Sequence, residues 1–196
     1  MAAGRLNNKT PWTITGVLLC ALLATSQATL VSCGNSNASP TQSGETRADE
    51  DDGVRRETVE IRGRRFRLEI ADDDEKRIKG LSGRAEIAEN GGMLFVFPRP
   101  QQAAFVMRDC LVDIDIIFLD TFGQVLSTYE MEVEDPRRPD ESEAEYEERL
   151  KKYHSRGPAQ FVIELRGGTL KTFEPELRRM RDVIKLDRQR LIRDAS

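Results

Sequence analysis

Ile114-Asp115-Ile116-Ile117-Phe118-Leu119 is the stretch of sequence that decides the fold. Apart from Asp115, every residue in it is apolar, so it lacks the polar alternation of a strand with one face in water. A short run of this kind is typical of a strand that is covered on both faces. We therefore expect residues 114–119 to form a central strand of a sheet.

Strand-like segments lie on both sides of this run. They cover residues 57–61, 64–70, 93–97, 104–108, 124–133, 161–165 and 183–186. Arg62-Gly63 between the first two predicts a hairpin, and Pro98 and Pro100 are expected to end the third. Together with short helices, these segments predict an α+β fold that is mainly β. We expect a compact single domain, antiparallel and sandwich-like or barrel-like, with short peripheral helices.

The helices are predicted at the periphery. Asp72-Asp73-Asp74 offers N-cap candidates for a helix over residues 75–81, and another short helix is expected from Thr169. Residues 135–152 place acids before bases, as the helix dipole favours, and have little apolar face. We interpret this segment as an exposed helical insertion. This insertion lies within the domain, which we expect to cover residues 55–187. Residues 188–196 are expected to form a charged tail.

The first 32 residues are typical of an export signal. Arg5 and Lys9 precede an apolar run over residues 14–24, and small residues follow it. The run is too short to span a membrane, which takes about 20 apolar residues. We expect a signal peptide that directs the protein out of the cytoplasm.

Leu30-Val31-Ser32-Cys33 at the end of this segment resembles a bacterial lipobox, whose cysteine is diacylated and becomes the new N-terminus. Cys20 is the rival position, but the residue before it, Leu19, is bulky. We expect residues 1–32 to be a lipoprotein-type signal peptide and Cys33 to carry the lipid. The protein would then be anchored to a membrane in the periplasm or at the cell surface. Ordinary cleavage, with Cys33 as a bystander, is the alternative.

Residues 33–54 are rich in Ser, Asn, Thr, Gly and acids, a composition that predicts a disordered tether. A coil of about twenty residues reaches roughly 25 Å, enough to hold a domain just off a membrane surface.

Composition limits the classes of partner. The 196-residue chain carries a net charge of −4, and removing the two positive charges of residues 1–32 makes it about −6. Such a chain lacks the basic balance that nucleic-acid binding requires. Once Cys20 and Cys33 are set aside, Cys110 has no partner for a disulfide, and one histidine cannot support a zinc cluster. We expect neither a metal nor a cofactor.

Five blocks of this sequence resemble one family when taken together. They are residues 79–84, 92–97, 105–120, 153–159 and 162–165, followed by Gly168. In this order they are similar to the domain of unknown function 192 family, a set of small bacterial and archaeal domains, many of them exported. The resemblance covers residues 55–186. It implies a compact, mostly β, sandwich-like fold, and no established biochemical role comes with it.

The block over residues 105–120 also departs from the family pattern. Val106 stands where the family has Trp, Asp109 where it has Asn, Cys110 where it has Thr, and Asp113 where it has Pro. An aromatic platform is lost and two acids are gained. If the family binds a ligand through that Trp, this member binds a different ligand or none. The insertion over residues 135–152 is also unlike typical members.

The candidate ligand site lies in the loop before the central strand and in residues 153–157. Arginines in family positions can clamp an anion or pair internally with a carboxylate such as Asp115. Asp115 itself would be either a structural brace or a polar anchor in a pocket. The candidate residues are Arg84, Met107, Arg108, Asp109, Asp115, Tyr153 and Ser155.

Two more specific hypotheses, a calcium site and a cysteine nucleophile, have less support from the same region of sequence. Asp109, Asp113 and Asp115 have near-alternate spacing that could serve Ca²⁺, but no glycine turn or bidentate Glu follows. Cys110 and His154 could form a nucleophile–base pair, but no orienting third residue is evident, and a single Cys is more often a buried apolar residue. We assign no catalytic residue.

The sequence therefore leaves three hypotheses. The first is a non-enzymatic, membrane-tethered module that binds a small polar ligand. The second is an interaction module whose insertion docks another envelope protein. The third is an enzyme that uses Cys110 with His154.

Overall fold

The computed structural model describes residues 52–173, 175–177 and 179–196. The predicted signal peptide, the lipidation site at Cys33 and nearly all of the predicted tether lie outside these residues. Among the helices of the described residues, none has both the length and the apolar character needed to cross a membrane.

One six-stranded sheet forms the framework of the domain. Its neighbours run in the order β1-β2-β3-β6-β4-β5, and every neighbouring pair is antiparallel except β2 and β3. The elements are β1 (Arg56–Ile61), β2 (Arg64–Ala71), α1 (Asp74–Lys79), β3 (Met93–Phe105), β4 (Ile114–Leu119), β5 (Val125–Met131), α2 (Glu143–Arg149), β6 (Tyr153–Arg166), a 3-10 turn (Leu170–Thr172) and α3 (Arg188–Asp194).

The predicted mainly β, α+β class is confirmed. The sheet is mixed rather than wholly antiparallel, because β2 returns through α1 to place β3 parallel beside it. It stays open instead of closing into a barrel, with β1 and β5 at its two edges.

Strand β4 has the central place that its sequence predicts. It lies between β6 and β5, and all six of its residues are buried. Its odd-numbered apolar residues pack into a cluster with Phe161 and Leu191, which we call the α3 face. Its even-numbered residues pack into a second cluster with Phe95 and Met107, which we call the opposite face. Both sides of the sheet are therefore shielded from water.

The turn and cap predictions at the start of the domain are confirmed. Arg62 and Gly63 both have positive φ angles, 52° and 76°, as a two-residue hairpin of the primed type requires. The side chain of Asp73 accepts a hydrogen bond from the backbone N–H of Lys76 at 2.8 Å and caps α1.

The expectation that Pro98 and Pro100 end a strand is wrong. Strand β3 continues through them to Phe105, and β6 extends correspondingly from Tyr153, so residues 104–108 are not a separate strand. The pairing register between β3 and β6 shifts between Val96 and Gln101. This bulge accommodates two residues that lack a backbone N–H.

The C-terminal predictions also need correction. Residues 183–186 do not form a strand, and only an isolated bridge joins Val183 to Gln124. The predicted charged tail instead contains α3, whose Leu191 is fully buried on the α3 face. Leu191 docks this short charged helix together with the partly buried Ile192 and Ala195, which a count of charges does not reveal.

The insertion is helical over a shorter range than predicted and is not wholly exposed. Helix α2 begins at a capping box formed by Ser142 and Glu145. Tyr146 and Leu150 are both buried. The hydroxyl of Tyr146 accepts a hydrogen bond from the backbone N–H of Asp109 at 3.1 Å. Helix α2 is therefore seated on the loop between β3 and β4.

Among the glycines that the structure describes, Gly92 is the one whose replacement should cost the most stability. Its φ is +141°, and a Cβ there would lie 2.1 Å from the carbonyl oxygen of Glu164 on β6. We predict that Gly92→Ala lowers the free energy of unfolding by more than about 2 kcal/mol, because backbone would have to move. Gly168→Ala is the control, since its φ of +83° strains the chain but its Cβ meets open space; it should cost about 1 kcal/mol. Equal urea midpoints for the two variants would contradict this.

Candidate functional site

A cavity of about 480 Å³ opens on the opposite face of the sheet. Its volume falls within the range of small-molecule sites, about 300–1,000 Å³. The walls come from α1 and the turn after it, the end of β3, the loop before β4 and one residue of β6. The lining residues are Asp74, Arg77, Ile78, Lys79, Gly80, Leu81, Ser82, Phe95, Phe97, Ala104, Phe105, Val106, Arg108, Cys110 and Glu164.

Glu164 contributes the β6 residue of this cavity. It lies mid-sheet, paired with Met93 of β3 on one side and Ile116 of β4 on the other. The residue is only 5% exposed, and its Oε2 is buried with no hydrogen-bond partner among the described residues. The Glu164 carboxyl is therefore buried in the sheet with one oxygen that can still accept or donate a hydrogen bond.

Burial raises the pKa of Glu164 to about 8, and the positive charge of Arg84 only partly opposes this. An ionised carboxylate in an apolar site is costly, so the proton stays on the group instead. At neutral pH the side chain is mostly a neutral acid, which can donate through its O–H and accept through its carbonyl oxygen.

Sequence reasoning missed Glu164, although the signal was present. It is a single acid in the apolar run Phe161-Val162-Ile163-Glu164-Leu165, just as Asp115 is a single acid in the run that forms β4. The pattern identifies both as buried acids. Only the structure tells them apart, because one finds a partner and the other does not.

Aromatic rings give the cavity its apolar wall. Phe95 and Phe105 both line it and meet edge to face with centroids 4.9 Å apart. Phe105 in turn meets Phe118 at 5.6 Å. This row is packed from behind by the core, so it presents a fixed surface. Val106 also lines the cavity.

Three cations border the cavity, and two of them are neutralised. Arg77 pairs with Asp74 at 2.8 Å, and Arg108 forms an ion pair with Glu147 of α2. Lys79 is exposed, and its Nζ makes no hydrogen bond or ion pair with another described residue. The mouth therefore carries one positive charge that is available to a ligand.

Arg84, a predicted ligand residue, is used internally. It forms two hydrogen bonds to Glu69, at 2.8 and 2.5 Å, rather than contacting Asp115. These bonds hold the pKa of the Glu69 carboxyl below its usual range. The predicted internal pairing is thus found, with a different partner.

Asp115 acts as a brace. It is 1% exposed and accepts a hydrogen bond from the backbone N–H of Leu170 at 2.6 Å, which fixes the 3-10 turn. Burial raises the pKa of its carboxyl. It shares the alternation of Ile117, so it lies on the α3 face, away from the cavity.

The other predicted residues serve the core or the local backbone. Met107 and Tyr153 are buried in the apolar cluster of the opposite face. Ser155 is fully buried; its hydroxyl accepts from the N–H of Ala103 at 3.1 Å and donates to the carbonyl of Gly157 at 2.6 Å. Asp109 has a φ of 52°, a conformation that Asp and Asn tolerate. Of the seven candidates, Arg108 lines the cavity.

The described contacts do not support the hypotheses of a calcium site or of a nucleophile–base pair formed by Cys110 and His154. The Asp113 carboxylate accepts from the N–H of Val133 at 2.9 Å, that of Asp109 accepts from the hydroxyl of Tyr146 at 3.4 Å, and that of Asp115 accepts from the N–H of Leu170. Among the described residues, no three His, Cys, Asp or Glu side chains are placed to hold a metal. Burial raises the pKa of Cys110 to about 11, and the described contacts include none between it and His154.

The raised pKa of Glu164 predicts a pH dependence of stability. Between about pH 4.5 and 8 the folded protein keeps a proton that the unfolded chain has lost. The free energy of unfolding should therefore fall as pH rises through this window, by at most about 1.4 kcal/mol per pH unit from this group. Urea unfolding at several pH values should show that Glu164→Gln removes this slope, whereas Glu86→Gln, at an exposed position, retains it. Parallel curves for all three proteins would rule out the raised pKa.

Comparison with solved structures shows the same fold in two bacterial proteins. One is a protein of unknown function from Novosphingobium aromaticivorans, 24% identical, with a TM-score of 0.55 over 70% of this chain and 89% of that one. The other is described as a candidate transcription regulator from Sinorhizobium meliloti, 26% identical, with a TM-score of 0.51 over 67% of this chain and 94% of that one.

No curated protein matches the chain significantly. The family model DUF192, described as an uncharacterized ACR, matches residues 57–176, which is more than half of the sequence. The resemblance that the five sequence blocks carry is confirmed, and the chain belongs to the domain of unknown function 192 family.

Proposed function

We propose that this protein is a non-enzymatic module that binds a small molecule in the cavity beside Glu164. The observation that carries the proposal is the buried carboxyl oxygen of Glu164, which has no hydrogen-bond partner at the floor of the cavity. Leaving a buried polar atom unpaired costs about 1–3 kcal/mol, so a ligand that supplies a partner gains that much relative to one that does not.

The walls around this polar atom support the same reading. Phe95, Phe97 and Phe105 supply apolar surface, and covering such surface stabilises a complex by about 25 cal/mol per Å². A mostly apolar pocket with a few polar groups that fix orientation is the usual form of a small-molecule site. The ligand we expect therefore has an apolar body and at least one hydrogen-bonding group.

The groups near the cavity favour binding over catalysis. The thiol of Cys110 is held in its protonated form by burial, since its pKa is raised to about 11. The hydroxyl of Ser82 donates to the carbonyl of Arg108 at 2.8 Å and is thus occupied. Among the described residues, both side chains donate their hydrogen bonds to the carbonyl of Arg108 rather than to a base, and the negative charge of Glu164 raises the pKa of the thiol instead of lowering it.

Two other functions receive less support. A role like that of the candidate transcription regulator would call for DNA contacts, and the net charge of −4 opposes these. Docking of an envelope protein on α2 would call for an apolar stripe in the open. The apolar residues of that helix, Tyr146 and the adjoining Leu150, are instead buried in its own domain.

A substitution that fills the cavity tests binding there. Val106 lines the cavity and is half-buried, so we predict that Val106→Trp blocks the site while the core is kept. The probes are benzamide, phenol and benzylamine, measured by thermal shift. A probe at a hundredfold excess over Kd adds about 2.7 kcal/mol of stability.

The control for this screen is Lys185→Trp, at an exposed position that does not line the cavity. We expect at least one probe to raise the melting temperature of the wild type and of the control but not of Val106→Trp. The proposal fails if no probe acts, or if the shift persists in Val106→Trp.

We further propose that the module works in the cell envelope, tethered through a lipid on Cys33. The support is the order of charge, apolar run and lipobox-like residues before that cysteine. In a bacterial host, labelled palmitate should be incorporated into the wild type and Cys20→Ser but not into Cys33→Ser. Labelling that survives in Cys33→Ser would contradict the anchor.

A further inference from the structure

We propose that the cavity takes a zwitterionic small molecule, whose ammonium group binds Glu164 at the floor and whose anionic group binds Lys79 at the mouth. This inference rests on the proposed function and specifies the chemical class of the ligand. It follows from the charges that face the cavity and from which of them are already paired.

The buried Glu164 carboxyl at the floor of the cavity can accept a hydrogen bond from a ligand. Oε2 of Glu164 is buried and unpartnered within the described residues, and the rings of Phe95 and Phe105 line the same space. A carboxyl beside aromatic faces favours a cation, because the ammonium gains both a charge-assisted hydrogen bond and attraction to the rings. A neutral donor would gain only the first, in its weaker uncharged form.

Among the residues that the structure describes, no cation pairs with the Glu164 carboxyl. Arg84 has the one positive charge that affects the titration of Glu164, and both of its hydrogen bonds go to Glu69. The thiol of Cys110, the other titratable group beside Glu164, is neutral because burial raises its pKa to about 11. The acid at the floor is therefore left for a ligand.

The mouth calls for an anion. Of its three cations, Arg77 is neutralised by Asp74 and Arg108 by Glu147. The ammonium group of Lys79 is unpaired among the described residues. A simple amine would pair with Glu164 and leave Lys79 without a partner. A simple carboxylate would pair with Lys79 and leave Glu164 without one. A ligand with both charges and an apolar spacer uses both ends.

Binding of the ammonium carries a proton balance that can be measured. Below pH 8 the side chain of Glu164 is mostly protonated, and it pairs with the ligand cation as a carboxylate. The O–H bond of the acid breaks, its proton leaves to the buffer, and an N–H···O⁻ hydrogen bond forms. No other group changes charge, so close to one proton should be released per ligand bound at pH 6.

The experiment uses four probes with the same carbon chain: 6-aminohexanoate, hexylamine, hexanoate and hexanamide. Isothermal titration calorimetry of the full chain at pH 6, in two buffers of different ionisation enthalpy, gives Kd and the protons released. We expect 6-aminohexanoate to bind at least about tenfold more tightly than any of the other three, since one buried charge-assisted hydrogen bond is worth that much.

Two variants test separately how each charged end of the ligand contributes to affinity. Glu164→Gln should weaken 6-aminohexanoate and hexylamine about tenfold, abolish proton release and leave hexanoate unchanged. Lys79→Gln should weaken 6-aminohexanoate and hexanoate and leave hexylamine unchanged. Lys185→Gln, which removes an exposed charge away from the cavity, is the matched control and should change nothing.

The outcomes separate this inference from the proposed function. If hexanamide or hexanoate binds the wild type as tightly as 6-aminohexanoate, and Val106→Trp abolishes that binding, the module binds ligands but the zwitterion is wrong. If 6-aminohexanoate binds without proton release, or equally well to Glu164→Gln, the contact at the floor is wrong. If none of the four probes binds at millimolar concentration, the inference fails while the screen against Val106→Trp still decides the function.

Discussion

The covering of β6 on both faces is the constraint on which the rest of this structure depends. Residues 159–165 of that strand are all buried, between β3 and β4 within the sheet and between apolar clusters above and below it. A carboxyl placed in such a strand cannot reach bulk water and has to find a partner, lose its charge or face a cavity. The Glu164 carboxyl loses its charge and faces the cavity.

Hydrogen bonds fix the turn after α1 against the loop between β3 and β4, and both segments line the cavity. The hydroxyl of Ser82 and the N–H of Gly83 donate to the carbonyls of Arg108 and Asp109, both at 2.8 Å. Helix α2 then holds the same loop from the other side, through the hydroxyl of Tyr146 and the ion pair of Arg108. The insertion over residues 135–152 thus supports one wall of the candidate site. Its Tyr146 and Leu150 are buried in the domain.

Sequence reasoning succeeded where a local pattern fixes local structure. The apolar run of β4, the Arg62-Gly63 turn and the Asp73 cap depend on neighbouring residues, and all three are as predicted. It failed where distant partners decide. The bulge that lets β3 pass through its prolines requires β6, and the pairing of Arg84 with Glu69 requires the segment after α1 to return to β2. Seven site residues were expected, but only Arg108 reaches the cavity. The sequence marks Glu164 as a buried acid, but the lack of a partner for it, and for Lys79, becomes visible only once the surrounding residues are placed.

The most direct measurement is a titration of the Glu164 carboxyl carbon by ¹³C NMR in the full chain, with Glu164→Gln used to assign the resonance. We predict that the carboxyl is protonated at pH 6, titrates with a midpoint near 8, and changes to the ionised chemical shift at pH 6 when 6-aminohexanoate is added. A midpoint near the ordinary value for a Glu side chain, about 4.3, would contradict it. Glu164 would then be an ionised, solvated or paired carboxylate, and the buried acid on which the proposed site depends would not exist.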